Sequence, residues 1–292
     1  MIDNAVGHAT LAAQSVGYLV PTGDVSCVVH SVFAAACNFA REDGELLTLA
    51  HARAGNAPTT ILLAGSRAPD LRGLFRNGVT VTCNDRVLHA PGVQVQFGSA
   101  IVWRPRARRI ALAPATLAQR LQWAERYLAE HRSALASAVS GGHPAFAPVI
   151  NAVRQLDRDA AVVALQRVIG LGEGLTPAGD DFVVGLLAGL DALPMNEAQR
   201  ALRAALGAVV TDFTYRTTDI SAQFLRLASR GHYAQTLDVL RDVLFCEHRA
   251  RLVRPVLERV LQIGATSGAD TLAGLLAALQ TWLANMIATV RP

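Results

Sequence analysis

Lysine is absent from this sequence; all 27 basic residues are arginine. That excludes Schiff-base chemistry, a lysine-anchored cofactor and the lysine of a phosphate-binding P-loop. Any anion bound here must be held by arginine, by backbone N–H groups or by a metal. Cysteine is scarce: Cys27, Cys37, Cys83 and Cys246 are too scattered for a disulfide framework and form no C-x-x-C pair, which argues against zinc and thioredoxin-like sites. Cys27 and Cys37 lie in apolar surroundings and read as buried thiols. Charge is thin at 17% of residues, with a net charge of only +4, so a nucleic-acid partner is not expected. The histidines form no H-x-x-x-H pair and no G-x-S-x-G elbow is present, leaving a histidine metal site and serine-hydrolase chemistry without support. Residues 271–290 carry no charge but include Gln280, Thr281, Asn285 and many alanines, and read as a buried helix, not a membrane span. Met1-Ile2-Asp3-Asn4 has no basic leader region, so secretion is not expected and a cytoplasmic location is.

What the chain does have is 51% hydrophobic residues over 292 positions, enough for one large domain or two ordinary ones. Short β-branched or apolar runs at 26–36, 45–50, 59–63, 79–82, 87–89, 93–97 and 101–103 predict seven closely spaced strands. Asp43-Gly44 and Asn84-Asp85 read as turns, and 71–75 as a short inserted helix. The pattern changes at the arginine cluster 104–109, a linker or exposed edge. Beyond it, Leu117, Leu121, Ala124, Leu128 and Leu135 form one helical stripe, stopped by residues 140–144. Further helices are predicted at 147–156, 160–169, 177–190, 197–211, 220–229, 233–245, 251–262 and 270–288. The expected fold is α+β, with an N-terminal β-rich barrel or sandwich domain (1–110) followed by an all-α domain (111–292).

An internal echo stands out. Residues 174–190 and 264–279 each contain a Gly-x-Thr turn, then a glycine, an aspartate and a helix with Gly-Leu-Leu-Ala, allowing one gap. Ahead of the first copy runs Gly170-Leu171-Gly172-Glu173-Gly174-Leu175-Thr176-Pro177-Ala178-Gly179-Asp180-Asp181. Thr176 as N-cap and Pro177 at the first helical position would start a helix, with the acids favoured by its dipole. That account leaves the glycines unexplained, and their density points to close approach by a ligand or another backbone. Gly172, Gly174 and Gly179 are candidate backbone donors to a small anion at a helix start, and Thr176 a candidate hydroxyl contact. The second copy would add Thr266, Ser267, Gly268 and Asp270. Asp180 or Asp181 could accept from an amide NH2 or hold Mg²⁺. Successive helical residues diverge by about 100°, so one of these acids belongs in the site and the other supports the loop. A third cluster, Arg216-Thr217-Thr218-Asp219-Ile220-Ser221, offers Arg216 as an anion partner, with Thr217 and Ser221 beside it; Thr218 or Asp219 could equally just cap a helix.

The motif at 170–181, together with Thr-Ser-Gly-x-Asp at 266–270, resembles domain-of-unknown-function family 2877, which includes the AllH-type subunit of oxamate carbamoyltransferase. Looser agreement runs through 33–39, Ala57-Pro58 and 217–221. The resemblance implies phosphorolysis of oxalurate to oxamate and carbamoyl phosphate in allantoin or purine nitrogen catabolism, together with other carbamoyltransferase subunits. On this reading Asp180 and Asp181 are the catalytic candidates, a small anion is the ligand, and Mg²⁺ is the one cofactor left open. Two other classes stay open: a stand-alone Mg²⁺-dependent hydrolase using Asp180, Asp181 and Asp270, and a non-catalytic scaffold in which the glycines serve helix packing.

Overall fold

Period-two alternation builds the first unit. In β2 (Val25–Val32), β3 (Ala36–Arg41), β4 (Leu46–His51) and β5 (Thr60–Leu63), Cys27, Val29, Cys37, Phe39, Leu47, Leu49, Ile61 and Leu63 all face one buried core. In this computed structural model, which describes residues 9–65, 69–106, 112–134 and 144–290, the chain divides into compact units Met1–Arg106 and Ala107–Pro292. Residues 1–4, Arg108 and Arg109 of the arginine cluster, Leu135 and the helix stop at 140–143 lie outside the described residues.

The remaining strands are β1 (Ala9–Gly17), β6 (Thr80–Asn84), β7 (Val87–Ala90), β8 (Val93–Gln96) and β9 (Ile101–Trp103). Eight of them close in the order β5-β4-β3-β2-β6-β7-β8-β1, with β1 returning to β5. The circuit of these eight strands is closed, so the unit is a barrel and not a sandwich. Strand β9 runs parallel to the second half of β1, where Ser15 pairs with Ile101, while β8 runs parallel to its first half, where Ala9 pairs with Val93.

Two strands depart from the sequence expectation. The run 26–36 is two strands, because Phe33 N–H donates to the Ala36 carbonyl and turns the chain between them. Strand β1 was missed altogether: its Ala- and Ser-rich sequence has weak β propensity, and it is held by partners on both sides. The β6–β7 turn is Asp85-Arg86, one residue later than expected, with φ of 46° and 60°, the two left-handed residues that a two-residue hairpin requires. The inserted helix is a single 3₁₀ turn, Leu71–Gly73, capped by Asp70.

The second unit is helical throughout its described residues: α1 (Pro114–Ala134), α2 (Phe146–Gln155), α3 (Arg158–Gln166), α4 (Ala178–Leu190), α5 (Glu197–Phe213), α6 (Asp219–Ser229), α7 (Gln235–Phe245), α8 (Val253–Leu261) and α9 (Ser267–Val290). Most are amphipathic. By contrast, α4 is buried on nearly every side, as its apolar sequence dictates. Among the described residues no helix is long and apolar enough to cross a membrane.

Arg120 on α1 reaches the C-terminal end of α7 and donates to the carbonyls of Val243, Leu244, Cys246 and Glu247 at 2.8–3.2 Å. A single guanidinium thus serves the orphan acceptors of a helix end. We expect Arg120→Ala to lower stability by about 2 kcal/mol in denaturant titrations. Arg120→Lys should recover little of it, since one ammonium cannot replace the planar fork.

Candidate functional site

Glycine fixes the centre of the helical unit. A methyl group at Gly185 of α4 would lie 1.9 Å from the Thr271 carbonyl oxygen of α9, and one at Gly274 of α9 would lie 2.0 Å from the Phe182 carbonyl oxygen of α4. The same methyl at Gly185 would press on Leu275 N, and that at Gly274 on Leu186 N. These contacts are reciprocal, as across a twofold axis. A constant offset in sequence relates Gly179 to Gly268, Asp181 to Asp270 and Gly185 to Gly274. The sequence echo is therefore a structural repeat whose two copies pack on each other.

The two loops that precede these helices meet. Thr176 Oγ1 and Ser267 Oγ lie 2.8 Å apart and share a hydrogen bond. This corrects the expected helix start: Pro177 is the N-cap residue and its carbonyl receives Asp180 N–H and Asp181 N–H, which frees the Thr176 hydroxyl for the other loop. Two glycines also change role. Gly179 N–H donates to Leu171 O and Gly268 N–H to Ile263 O, while methyls there would strike Val168 O and Val260 O at 2.0 and 1.9 Å. Both serve close packing, and neither N–H is available to a ligand. Gly172 and Gly174 are different. They are exposed, have φ of 115° and 92°, and their N–H groups find no acceptor among the described residues. Thr266 is exposed beside Ser267.

The adjacent acids divide as the helical geometry requires. Asp180 is 1% exposed. Its Oδ1 accepts Gly170 N–H at 2.7 Å, and its Oδ2 accepts the hydroxyls of Ser221, at 2.6 Å, and Thr217. Asp180 is therefore a buried tie between the glycine loop and the start of α6, and Thr217 and Ser221, expected at the ligand, are its partners. Thr218 caps α6 and also donates to Leu175 O at 2.6 Å. Arg216 lies at the exposed edge, where Nη1 donates to Gln166 O at 2.6 Å.

Asp181 faces the other way. It is 9% exposed, and its Oδ2 is buried with no hydrogen-bond partner. Asp270, its counterpart in the repeat, is 2% exposed. The Asp181 carboxyl is held up at about 7, chiefly by burial, with the hydroxyls of Ser267 and Thr176 pulling it down and the charges of Asp270 and Asp180 pushing it up. The three carboxylates thus do not converge: among the described residues no three of His, Cys, Asp or Glu group as metal ligands. The three-aspartate hydrolase site fails on this geometry. The Asp181–Asp270 relation was legible in advance, since each stands four residues before the glycine of a Gly-Leu-Leu-Ala segment.

Comparison with known families gives two matches. Residues 5–102 match the model of the AllH family N-terminal domain, and residues 168–279 match that of oxamate carbamoyltransferase subunit AllH. The second span contains the glycine loop, Asp180, Asp181 and Asp270, and the crossing of α4 with α9. No solved structure matches the chain.

The two acids predict opposite responses. Asp180→Asn places an amide NH2 among three donors and should destabilise the fold by about 2–3 kcal/mol. Asp181 has a raised pKa, so in chelator-treated protein its contribution is fully present below the unfolded carboxylate value near 4. That contribution is lost as pH rises toward about 7. Asp181→Asn should flatten this decline and melt at or above wild type at pH 8, measured by thermal unfolding between pH 4 and 8.

Proposed function

Because this chain belongs to the AllH family, we propose that it is a subunit of a heteromeric carbamoyltransferase that exchanges a carbamoyl group between oxamate and phosphate. In phosphorolysis a phosphate oxygen attacks the carbamoyl carbon of oxalurate. The bond to the oxamate nitrogen breaks, and that nitrogen takes a proton. The products are carbamoyl phosphate and oxamate, which fits a cytoplasmic role in allantoin and purine nitrogen catabolism. The observation that carries the reading is the 2.8 Å contact between Thr176 and Ser267, which joins the two glycine loops within the family-matched span.

The reactants are anions and the chain has no lysine. Support for an anion subsite comes from the open N–H groups of Gly172 and Gly174, the hydroxyls of Thr176, Thr266 and Ser267, and the exposed Arg216 guanidinium. Asp180 holds these elements in place through Gly170, Thr217 and Ser221. Catalysis on this scheme rests on positioning and charge stabilisation, with the remaining groups supplied by partner subunits.

A scaffold role has its own support, since Gly179, Gly185, Gly268 and Gly274 are explained by packing. It does not explain Gly174, which has open space around it and a φ of 92°.

The test is reconstitution of the chain with its partner subunits and assay of carbamoyl phosphate formation from oxalurate and phosphate. Arg216→Ala is expected to raise the KM for phosphate about 10-fold or more, and Gly174→Val to lower kcat/KM together with some loss of melting temperature, because a φ of 92° strains any side chain. Full activity in both variants would favour the scaffold.

A further inference from the structure

We propose that Asp181 and Asp270, with the hydroxyls of Thr176 and Ser267, form a binding site for one small divalent cation of the Mg²⁺ type. The site stands independently of the carbamoyl-transfer reading, because its donors are fixed by the crossing of α4 and α9 alone.

Three observations carry it. First, two carboxyl groups from different helices are buried within each other's field, and the hydroxyls that act on Asp181, those of Ser267 and Thr176, belong to the loops that meet at 2.8 Å. These are hard oxygen donors with no thiol or imidazole among them, the set that suits Mg²⁺ and not zinc. Second, Asp181 Oδ2 is sealed from solvent and accepts no hydrogen bond. A buried carboxylate oxygen without a partner is costly and rare in a folded protein, so a ligand small enough to need no open channel is called for. Third, among the described residues no positive charge meets Asp181 and no basic side chain pairs with it. The N–H groups of Gly179, Asp180 and Asp181, and those of Gly268 and Asp270, already donate to carbonyls, so the helix starts have little left to give.

Asp180 does not take part, since Gly170, Thr217 and Ser221 occupy its oxygens. Two carboxylates with retained waters are the usual manner of Mg²⁺ binding, as distinct from a full protein cage.

The experiment uses the full-length chain after chelator treatment, at pH 8, titrated with Mg²⁺, Mn²⁺ or Ca²⁺ while thermal unfolding and binding heat are recorded. A cation that binds only the native state should raise the melting temperature by about 5 °C at a hundredfold excess over Kd. Asp181→Asn and Asp270→Asn should each weaken binding at least 10-fold, and Ser267→Ala several-fold. Asp181→Asn is expected to melt at or above the cation-free wild type, so a lost response there would not reflect misfolding. Mn²⁺ paramagnetic resonance gives a second readout if either variant is unstable. The proposal is overturned if wild type shows no cation response at pH 8, the result expected of a pair that shares only a proton. It is equally overturned if the response persists in both Asn variants.

Discussion

The close crossing of α4 and α9 is the constraint on which the rest of the helical unit depends. At Gly185 and Gly274 the backbone of one helix lies where a side chain of the other would be. Removing both side chains brings the axes together, and that approach decides everything N-terminal to it. One helical turn before each of these glycines stands Asp181 or Asp270, and just before those stand Thr176 and Ser267. Apolar packing around the crossing sustains it: Phe182 stacks on Phe146 with ring centroids 4.1 Å apart, and Trp282 is fully buried. The acids are therefore held in a position that neither would take alone.

Adjacent aspartates at the start of α4 show how one turn of helix can serve two ends. Pointing about 100° apart, Asp180 and Asp181 meet different neighbours. Asp180 receives three donors and holds the glycine loop to α6, while Asp181 faces the repeat partner and is short of donors. Gly170 is part of the same tie. Its φ of 77° and the 2.4 Å that would separate a methyl group from Arg216 O admit no other residue, so the loop, Arg216 and Asp180 are positioned as one piece.

Much of this was legible in the sequence. The change from period two to a helical period near residue 104 separated a β unit from an α unit, and each expected helix was found within a few residues. The absence of lysine and the density of glycine pointed to residues 170–181, the segment whose loop meets the second one through Thr176 and Ser267. What escaped has physical causes. Strand β1 has little intrinsic preference for a strand and exists because both its edges are paired. A glycine that admits a ligand and one that admits a helix look alike in sequence; only the position of Val168 O against Gly179 and of Val260 O against Gly268 tells them apart. Thr217 and Ser221 looked like ligand contacts because their hydroxyls are available until Asp180 is folded against them.

The repeat also settles how charge is distributed. Duplicating a helix start that carries an aspartate duplicates negative charge at the axis, so the centre of the crossing is acidic by construction. An anionic substrate gains nothing there. The proposed function places its contacts on the exposed side, where Gly172 and Gly174 present N–H groups and Arg216 keeps a guanidinium. A chain with lysines could have placed an ammonium between the two carboxylates. Without them, the hydrogen-bonding glycine loop and the acidic centre behind it are separate features of one motif. Only a positive charge from outside the chain can bring the acidic centre and an anion into the same site.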